Sequence, residues 1–279
     1  MLPTLAGQLP LTEPMDQEQI ERIDAASLDI LEEVGVVFRD DIALEDWRKA
    51  GADVRGERVH LDRGLVKSLI KTIPSEITLH ARNPEKTVAL GGRQSIFIPM
   101  TGAPYLRDLE DVRRSPTLDD LATFHKLAHM LPAMHSSAHH IVEPMDHPIS
   151  HRHLRITHSS MLYSDKTFMG MTTSGQNAED VLDMCAILFG EEYLETHAVV
   201  TGNCNGNSPL VWDETMLSAM RAFNRRNQPV LCSPFVLGGA NTPASTVPTV
   251  AQLNAEALSA LAYTQVIRPG CPAIYGHYL

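Results

Sequence analysis

Short apolar runs alternate with amphipathic stretches of helical length from residue 95 to the end of the chain. The apolar runs predict six strands, over 95–100, 134–141, 167–171, 197–202, 229–235 and 272–276. Between them, apolar residues recur at helical spacing, as Leu118, Leu121 and Phe124 do. Strands that alternate with helices are typical of parallel β/α construction, so the pattern predicts an α/β fold of the TIM-type (β/α) barrel class.

The sixth predicted strand lies almost at the end of the sequence. Leu279 comes three positions after it, before the number of β/α units that closes a barrel of this type is reached. An open barrel edge would expose unpaired backbone groups and the flank of the core. We therefore expect a barrel truncated after its sixth strand, and a sequence that is the front part of a longer protein.

A small α+β region is predicted ahead of the repeating units. Apolar residues from Ile20 to Val34 mark one face of a helix that ends near Gly35, a residue type favoured after helix ends. Helices are also predicted over 41–50 and 63–72, and strands over 57–61 and 77–81. The predicted domains are an extended arm over 1–15, an α+β cap over 16–92 and an incomplete barrel over 93–279.

Two helix starts have clear capping signals. Thr117 is followed by Asp119 and Asp120, and Asn177 is followed by Glu179 and Asp180. Acidic side chains in a first turn complement the helix dipole, so each combination predicts an N-cap. In a β/α barrel the loops between strand ends and such helix starts carry the chemistry.

The net charge and the spacing of the cysteines exclude several classes of partner and site. The 279-residue chain has a formal charge of -11 and 43% hydrophobic residues, which argues for a sizeable core and against a nucleic-acid or anionic-membrane partner. The start of the chain resembles no signal peptide, and no apolar run is long enough to span a bilayer, so we expect a cytoplasmic protein.

Cys185, Cys204, Cys232 and Cys271 stand singly, which predicts buried small hydrophobes rather than a zinc or redox motif.

Asparagines are concentrated after the fourth predicted strand. Asn203, Asn205 and Asn207 lie in TGNCNGNSPL, where their amides could orient a polar or carboxylate-bearing ligand through neutral hydrogen bonds. The alternative is that Asn and Gly only build turns here. After the first strand, acids and arginines interleave in YLRDLEDVRRSP, which is typical of a solvated, self-neutralising loop.

The segment after the second strand contains residue types that bind metals. They are His135, His139, His140, His147, His151 and His153, with Glu143 and Asp146. The spacing is unfavourable, because neighbouring histidines point to opposite faces of a strand and residues two apart do not share a helix face. We expect no metal site, although a metal-dependent TIM-barrel hydrolase built on loop 135–153 stays an alternative. The sequence also lacks GxSxG, GxxxxGK[ST] and GxGxxG motifs.

Longer runs carry a family resemblance. NSPLVWDETMLSAM and PVLCSPFVLGGANTPASTVPTVAQLNAEALSALAYTQVIRPGCPAIYG resemble the trimethylamine methyltransferase family of corrinoid-dependent methyltransferases. ILEEVGVVF, GADVRGERVHL, ITLHARNPEKTVALGG and TGAPYLRDLEDVRRSPTLDDL resemble the N-terminal region of the same family. The resemblance thus covers essentially the whole chain. Some members contain pyrrolysine, at a position that would lie beyond this sequence.

The resemblance implies a function for the predicted barrel. A methyl group would move from a methylated amine, such as trimethylamine or glycine betaine, to the cobalt(I) of a partner corrinoid protein. The resemblance implies that cobalamin is carried by that partner and that no cofactor is bound directly. A homo-oligomer and a fragment that binds an amine without turnover both stay open.

Cation recognition in such a barrel would use aromatic faces and acids near the mouth. The candidate substrate-binding residues, chosen by loop position, are Tyr105, Asp108, Asn203, Asn205, Phe235 and Tyr275. The two asparagines would bind a carboxylate such as that of betaine. Core packing is the alternative role for Phe235 and Tyr275. No catalytic residue is assigned.

Overall fold

Most helices lie where apolar periodicity predicts them. The computed structural model describes residues 5–7 and 12–278, so residues 1–4 and 8–11 of the predicted arm, and residue 279, lie outside the described residues. The helices are α1 (Gln17–Asp29), α2 (Asp41–Lys49), α3 (Arg63–Ile70), α4 (Leu118–Met130), α5 (Ile149–Tyr163), α6 (Gly175–Phe189), α7 (Glu191–Thr196), α8 (Glu214–Arg225) and α9 (Thr246–Ile267). A π-helical turn (Ile30–Val34) prolongs α1 as far as Gly35, and a 3₁₀ turn covers Pro84–Lys86.

The strands are mostly short. They are β1 (Leu5–Ala6), β2 (Val36–Arg39), β3 (Asp53–Arg55), β4 (Arg58–His60), β5 (Glu76–Leu79), β6 (Val88–Gly91), β7 (Gln94–Ser95), β8 (Leu106–Arg107), β9 (Arg113–Arg114), β10 (Phe168–Met169), β11 (Val200–Cys204), β12 (Val211–Asp213), β13 (Val230–Cys232) and β14 (Ala273–Tyr275). Together with the helices they form an α/β fold. The predicted strands over 57–61 and 77–81 correspond to β4 and β5.

Capping side chains explain where several helices begin. The Thr117 hydroxyl lies 3.3 Å from the backbone nitrogen of Asp120, whose carboxylate in turn accepts the Thr117 N–H at 2.8 Å. This capping box starts α4 at Leu118, as predicted. Asn177 does not act as the predicted cap, because α6 already begins at Gly175 and Asn177 lies within its first turn.

The chain divides into two compact units, which differ from the predicted domains. One comprises residues 5–7, 75–171 and 176–202, and the other comprises 12–74, 172–175 and 203–278. The N-terminal helices therefore belong to the same unit as the last part of the chain. The predicted arm over 1–15, cap over 16–92 and incomplete barrel over 93–279 stay a prediction.

In the first unit, an antiparallel sheet in the order β1-β7-β6-β5 precedes the parallel elements. Phe168 and Val200 are register partners in the parallel pair of β10 and β11. Parallel bridges also join Ser136 to Thr167 and Ala103 to Val142. The segments around residues 136, 167 and 200 thus lie side by side in parallel.

Two of the six predicted strands are not regular strands. The run 95–100 contributes only Ser95 to β7, which pairs antiparallel with β6 and β1, and Phe97 and Met100 are exposed rather than buried in a sheet. In 134–141 the buried Ala138 has a φ of 55°, a left-handed conformation that interrupts a strand ladder. The extended-strand prediction was wrong for both segments.

In the second unit, β2 lies between two partners in the sheet β12-β2-β4-β3. It pairs parallel with β12 and antiparallel with β4. Phe38, Trp47 and Tyr263 are fully buried beside this sheet, with ring centroids 5.5–5.8 Å apart. Their edge-on and tilted contacts form an aromatic core that β2, α2 and α9 share.

Candidate functional site

The carboxyl ends of β11, β13 and β14, which are neighbours in one sheet, lie side by side in the second unit. The Ser233 N–H donates to the Cys204 carbonyl at 3.0 Å, and the Gly276 N–H donates to the Cys232 carbonyl at 3.0 Å. β13 and β14 are parallel neighbours. Side chains that follow β11, β13 and β14 therefore meet at one edge, where parallel α/β folds place their sites.

A hydroxyl joins the two predicted asparagines at this edge. The Ser233 Oγ lies 2.8 Å from the side-chain oxygen of Asn203 and 2.7 Å from that of Asn205. The Thr172 hydroxyl donates to the Asn203 backbone carbonyl at 2.5 Å. Ser233 is buried and Asn205 is exposed, so the amides link the protein interior to solvent. The sequence indicated both asparagines but gave no signal for Ser233.

Aromatic rings border the same strand ends. Phe235 is 48% exposed and Tyr278 is 45% exposed, and their ring centroids are 6.1 Å apart. Tyr275 is 45% exposed, and its phenol donates to the Asn254 side-chain oxygen at 3.2 Å. Burial of the phenol raises the pKa of Tyr275, which keeps this donor protonated. Phe235 and Tyr275 are therefore half-exposed side chains rather than core residues, and Tyr278 joins them.

A buried carboxylate orders the loop that follows the asparagines. Glu256 of α9 accepts hydrogen bonds from the Ser208 hydroxyl at 2.5 Å and from the Leu210 N–H at 2.9 Å. The Gln252 amide also donates to it, at 2.8 Å. The NSPL run and the helix that contains NAEAL, which both carry the family resemblance, thus bind each other. The Ser208–Pro209 peptide bond in this loop is cis.

Tyr105 and Asp108 lie in the β8–β9 hairpin of the first unit. The Arg113 guanidinium lies over the Tyr105 ring, 4.0 Å from its centroid. Asp108 Oδ1 accepts the backbone N–H groups of Glu110 and Val112, at 3.1 and 2.9 Å. Both side chains have a structural task in the hairpin, and their predicted role in substrate binding stays a prediction.

The histidine-rich segment forms buried hydrogen-bonded contacts. His125 of α4 lies 2.6 Å from the His139 carbonyl through Nε2 and 2.9 Å from the Ser159 hydroxyl through Nδ1. The rings of His139 and His140 meet edge to face, 4.1 Å between centroids. Burial lowers the pKa of both His139 and His140, so they are neutral at pH 7.

The other metal-binding residue types of this segment form separate pairs. His153 binds Asp180 at 2.8 Å, and Arg152 binds Glu143 at 2.7 Å. Within residues 5–7 and 12–278, no three His, Cys, Asp or Glu side chains come together in a way that could hold a metal ion. The arrangement gives the hydrolase alternative no support.

The cysteines are buried, as predicted. Cys185, Cys204, Cys232 and Cys271 are buried thiols that form no disulfide. Burial raises the pKa of Cys204 to about 12 and that of Cys271 to about 11, so these thiols remain protonated. Over the part of the chain that the structure describes, no helix has the length and apolarity needed to cross a membrane.

The chain is similar to one known protein family and to several known proteins. A family model described as "Trimethylamine methyltransferase (MTTB)" matches residues 1–279. The glycine betaine methyltransferase of Desulfitobacterium hafniense (strain Y51) is 40% identical over 272 residues, which are 97% of this chain and 57% of that protein. The proline betaine:corrinoid methyltransferase of Eubacterium limosum is 28% identical over 270 residues, 92% of this chain and 54% of that protein. The chain thus spans a little over half the length of these relatives.

The fold is similar to that of a solved structure. The crystal structure of the hydroxylamine MtmB complex aligns with a TM-score of 0.61 and 13% sequence identity. The alignment covers 89% of this chain and 51% of the MtmB chain. At this identity the similarity concerns the α/β fold alone.

Proposed function

This chain belongs to the trimethylamine methyltransferase family, and from this membership we propose that it is part of a methyltransferase that demethylates glycine betaine. The methyl acceptor is the cobalt(I) of a separate corrinoid protein. The 40% identity to a glycine betaine methyltransferase supports the substrate, and the similarity to a proline betaine:corrinoid methyltransferase supports the acceptor.

The proposal includes the barrel. The parallel strands β10, β11, β13 and β14 belong to a (β/α) barrel of the TIM type, in which the carboxyl ends of the strands form the mouth. The parallel bridges, the parallel pairs β10–β11 and β13–β14, and the similarity to MtmB support this assignment.

The observation that carries the substrate assignment is the combination of amides and aromatic rings at one edge. Asn203 and Asn205 offer hydrogen bonds to a carboxylate, while Phe235 and Tyr278 offer half-exposed ring faces. Aromatic faces attract quaternary ammonium groups through the ring quadrupole. Glycine betaine contains both a carboxylate and a trimethylammonium group, so the two kinds of side chain match its two ends.

The reaction explains why recognition is the main task of these residues. A quaternary ammonium carries its own leaving group, because loss of a methyl group leaves a neutral tertiary amine. The side chains must hold the substrate by its carboxylate, orient one methyl outward and exclude water. The reduced corrinoid, when bound with its protein, supplies the cobalt nucleophile. The exposure of Phe235, Tyr275 and Tyr278 fits access by a large partner from this side.

A substrate panel tests the proposal. Purified full-length protein, supplied with reduced corrinoid protein, is incubated separately with glycine betaine, proline betaine and trimethylamine. We expect glycine betaine to be consumed fastest, with one dimethylglycine formed for each methyl transferred. Faster consumption of trimethylamine would overturn the substrate assignment. Binding of glycine betaine without any turnover would instead favour the amine-binding alternative.

A further inference from the structure

Ser233 lies between two acceptors but has only one proton to donate. Its hydroxyl is within 2.8 Å of a side-chain oxygen of Asn203 and 2.7 Å of one of Asn205. A hydroxyl has one O–H and two lone pairs, so it can donate fully to one amide oxygen only. The oxygen and nitrogen of an asparagine amide are assigned from the hydrogen-bond network. The network at Ser233 is satisfied when one amide accepts the hydroxyl proton and the other donates an N–H to Oγ.

In this arrangement the two amide groups present different hydrogen-bonding groups on the side away from Ser233. The asparagine that accepts from Ser233 directs its NH₂ group away from the hydroxyl. The asparagine that donates to Ser233 directs its carbonyl oxygen away. The pair therefore presents one donor and one acceptor at the strand ends, although the two residues are identical in type.

We propose that Ser233 is a positioning residue that turns Asn203 and Asn205 into a recognition pair for a zwitterion. This inference rests on the proposed function and names the residue that sets its selectivity. The outward NH₂ group binds the substrate carboxylate, and the outward carbonyl oxygen lies toward the positively charged methyl groups, where C–H···O contacts are favourable. A quaternary amine without a carboxylate makes only the C–H···O contact with the carbonyl oxygen.

The packing around Ser233 holds its hydroxyl in place. The residue is 1% exposed, and its backbone N–H is bound to the Cys204 carbonyl at 3.0 Å. On its other side the chain passes so close that a Cβ at Gly276 would lie 3.3 Å from the Ser233 Cβ and 2.5 Å from a Leu231 methyl. The side chain therefore has little freedom to leave the two amides.

Titration calorimetry on the full-length protein tests the inference with two ligands. Glycine betaine carries a carboxylate, and tetramethylammonium carries none. In Ser233→Ala we expect the affinity for glycine betaine to fall about tenfold, as for loss of a hydrogen-bonded arrangement to a charged group, and that for tetramethylammonium to change less than about twofold. Ser233→Thr, which keeps the hydroxyl, should retain most of the affinity for glycine betaine.

The affinities of Ser233→Ala for the two ligands test the positioning role of Ser233 even without the threonine variant. An equal loss for both ligands would show that Ser233 only supports the fold, and an unchanged affinity for glycine betaine would show that it positions nothing. Either result overturns this inference while leaving the proposed function intact. A wild-type protein that does not bind glycine betaine overturns the proposed function, and the inference with it.

Discussion

Arg221 of α8 and Asp40, which precedes α2, form a two-pronged ion pair with both N···O distances at 2.7 Å. Their side chains are 6% and 4% exposed. Asp40 also accepts the Ala43 N–H at the start of α2, and the Arg221 guanidinium donates to the Tyr263 hydroxyl at 3.1 Å. One buried ion pair thus connects the N-terminal helices to α8 and α9 in the second unit.

Removing one partner of this ion pair should lower the free energy of unfolding. Arg221→Met leaves the Asp40 carboxylate buried without its cation, and we expect the free energy of unfolding to fall by about 3–5 kcal/mol. The control is the exposed pair Arg55 and Asp53, where Arg55→Met should cost less than about 1 kcal/mol. Denaturant unfolding measures both. Equal effects of the two substitutions would contradict a structural role for the buried pair.

The ion pair also shows what local patterns omit. Apolar periodicity and caps predicted α2, α3 and α4, because each helix depends mainly on neighbours three or four residues away. The contact between Asp40 and Arg221 joins residues 181 positions apart, and no local pattern encodes it. The sequence therefore predicted the N-terminal helices but grouped them as a separate cap, whereas the structure places them in one unit with 203–278.

Only part of the candidate site could be predicted from the sequence. Asn203 and Asn205 were identified from their clustering, and Phe235 and Tyr275 were chosen by loop position. Ser233 and Glu256 were missed, since a single Ser in an apolar run and a single Glu within a helix match ordinary patterns. Their importance comes from what lies opposite them in space. The strand at 134–141 failed for a similar reason, because Ala138 gives no sign of its positive φ.

His125 makes stability depend on pH. Burial lowers the pKa of His125 to about 4, against 6.5 for the free side chain. Between these pH values the unfolded chain binds a proton that the folded protein does not. The contribution of neutral His125 to the free energy of unfolding is therefore fully present above pH 6.5 and is lost as the pH falls toward 4. The loss is up to about 3 kcal/mol for this residue. His139 and His140, whose pKa values are also lowered, act in the same direction.

His125→Gln isolates this contribution. We expect the variant to be less stable at neutral pH, because the contacts to Ser159 and His139 are altered. Its free energy of unfolding should also fall less steeply than that of the wild type as the pH is lowered. Denaturant unfolding at a series of pH values gives both slopes. Parallel slopes would show that His125 does not titrate as described.

The two asparagines should contribute directly to substrate affinity. Asn203→Ala and Asn205→Ala in the full-length protein should each weaken glycine betaine binding by about 1–3 kcal/mol, because one substitution removes the donor to the carboxylate and the other removes the amide that fixes this donor through Ser233. The two losses should not add, because Ser233 connects both side chains. Asn207→Ala is the matched control from the same segment. If all three variants bind as the wild type does, these asparagines are not ligands.

Contact with the corrinoid protein should involve the exposed hairpin of the first unit. Glu110 is exposed at its turn, whereas Asp108 binds the backbone there, so Glu110→Lys changes charge with less risk to the fold. We expect slower methyl transfer at low salt and a smaller difference at high salt. Glu76→Lys, in an exposed position of β5, is the control. Equal effects of the two charge reversals would argue against an interface at the hairpin.

The most direct measurement compares demethylation of glycine betaine with and without the partner. Full-length protein is incubated with the substrate alone, with oxidised corrinoid protein and with corrinoid protein reduced to the cobalt(I) state. Dimethylglycine and the methylated corrinoid are then quantified. We predict that both products appear in equal amounts and only with the reduced partner. Consumption of glycine betaine at the same rate without the corrinoid protein would contradict the methyltransferase assignment.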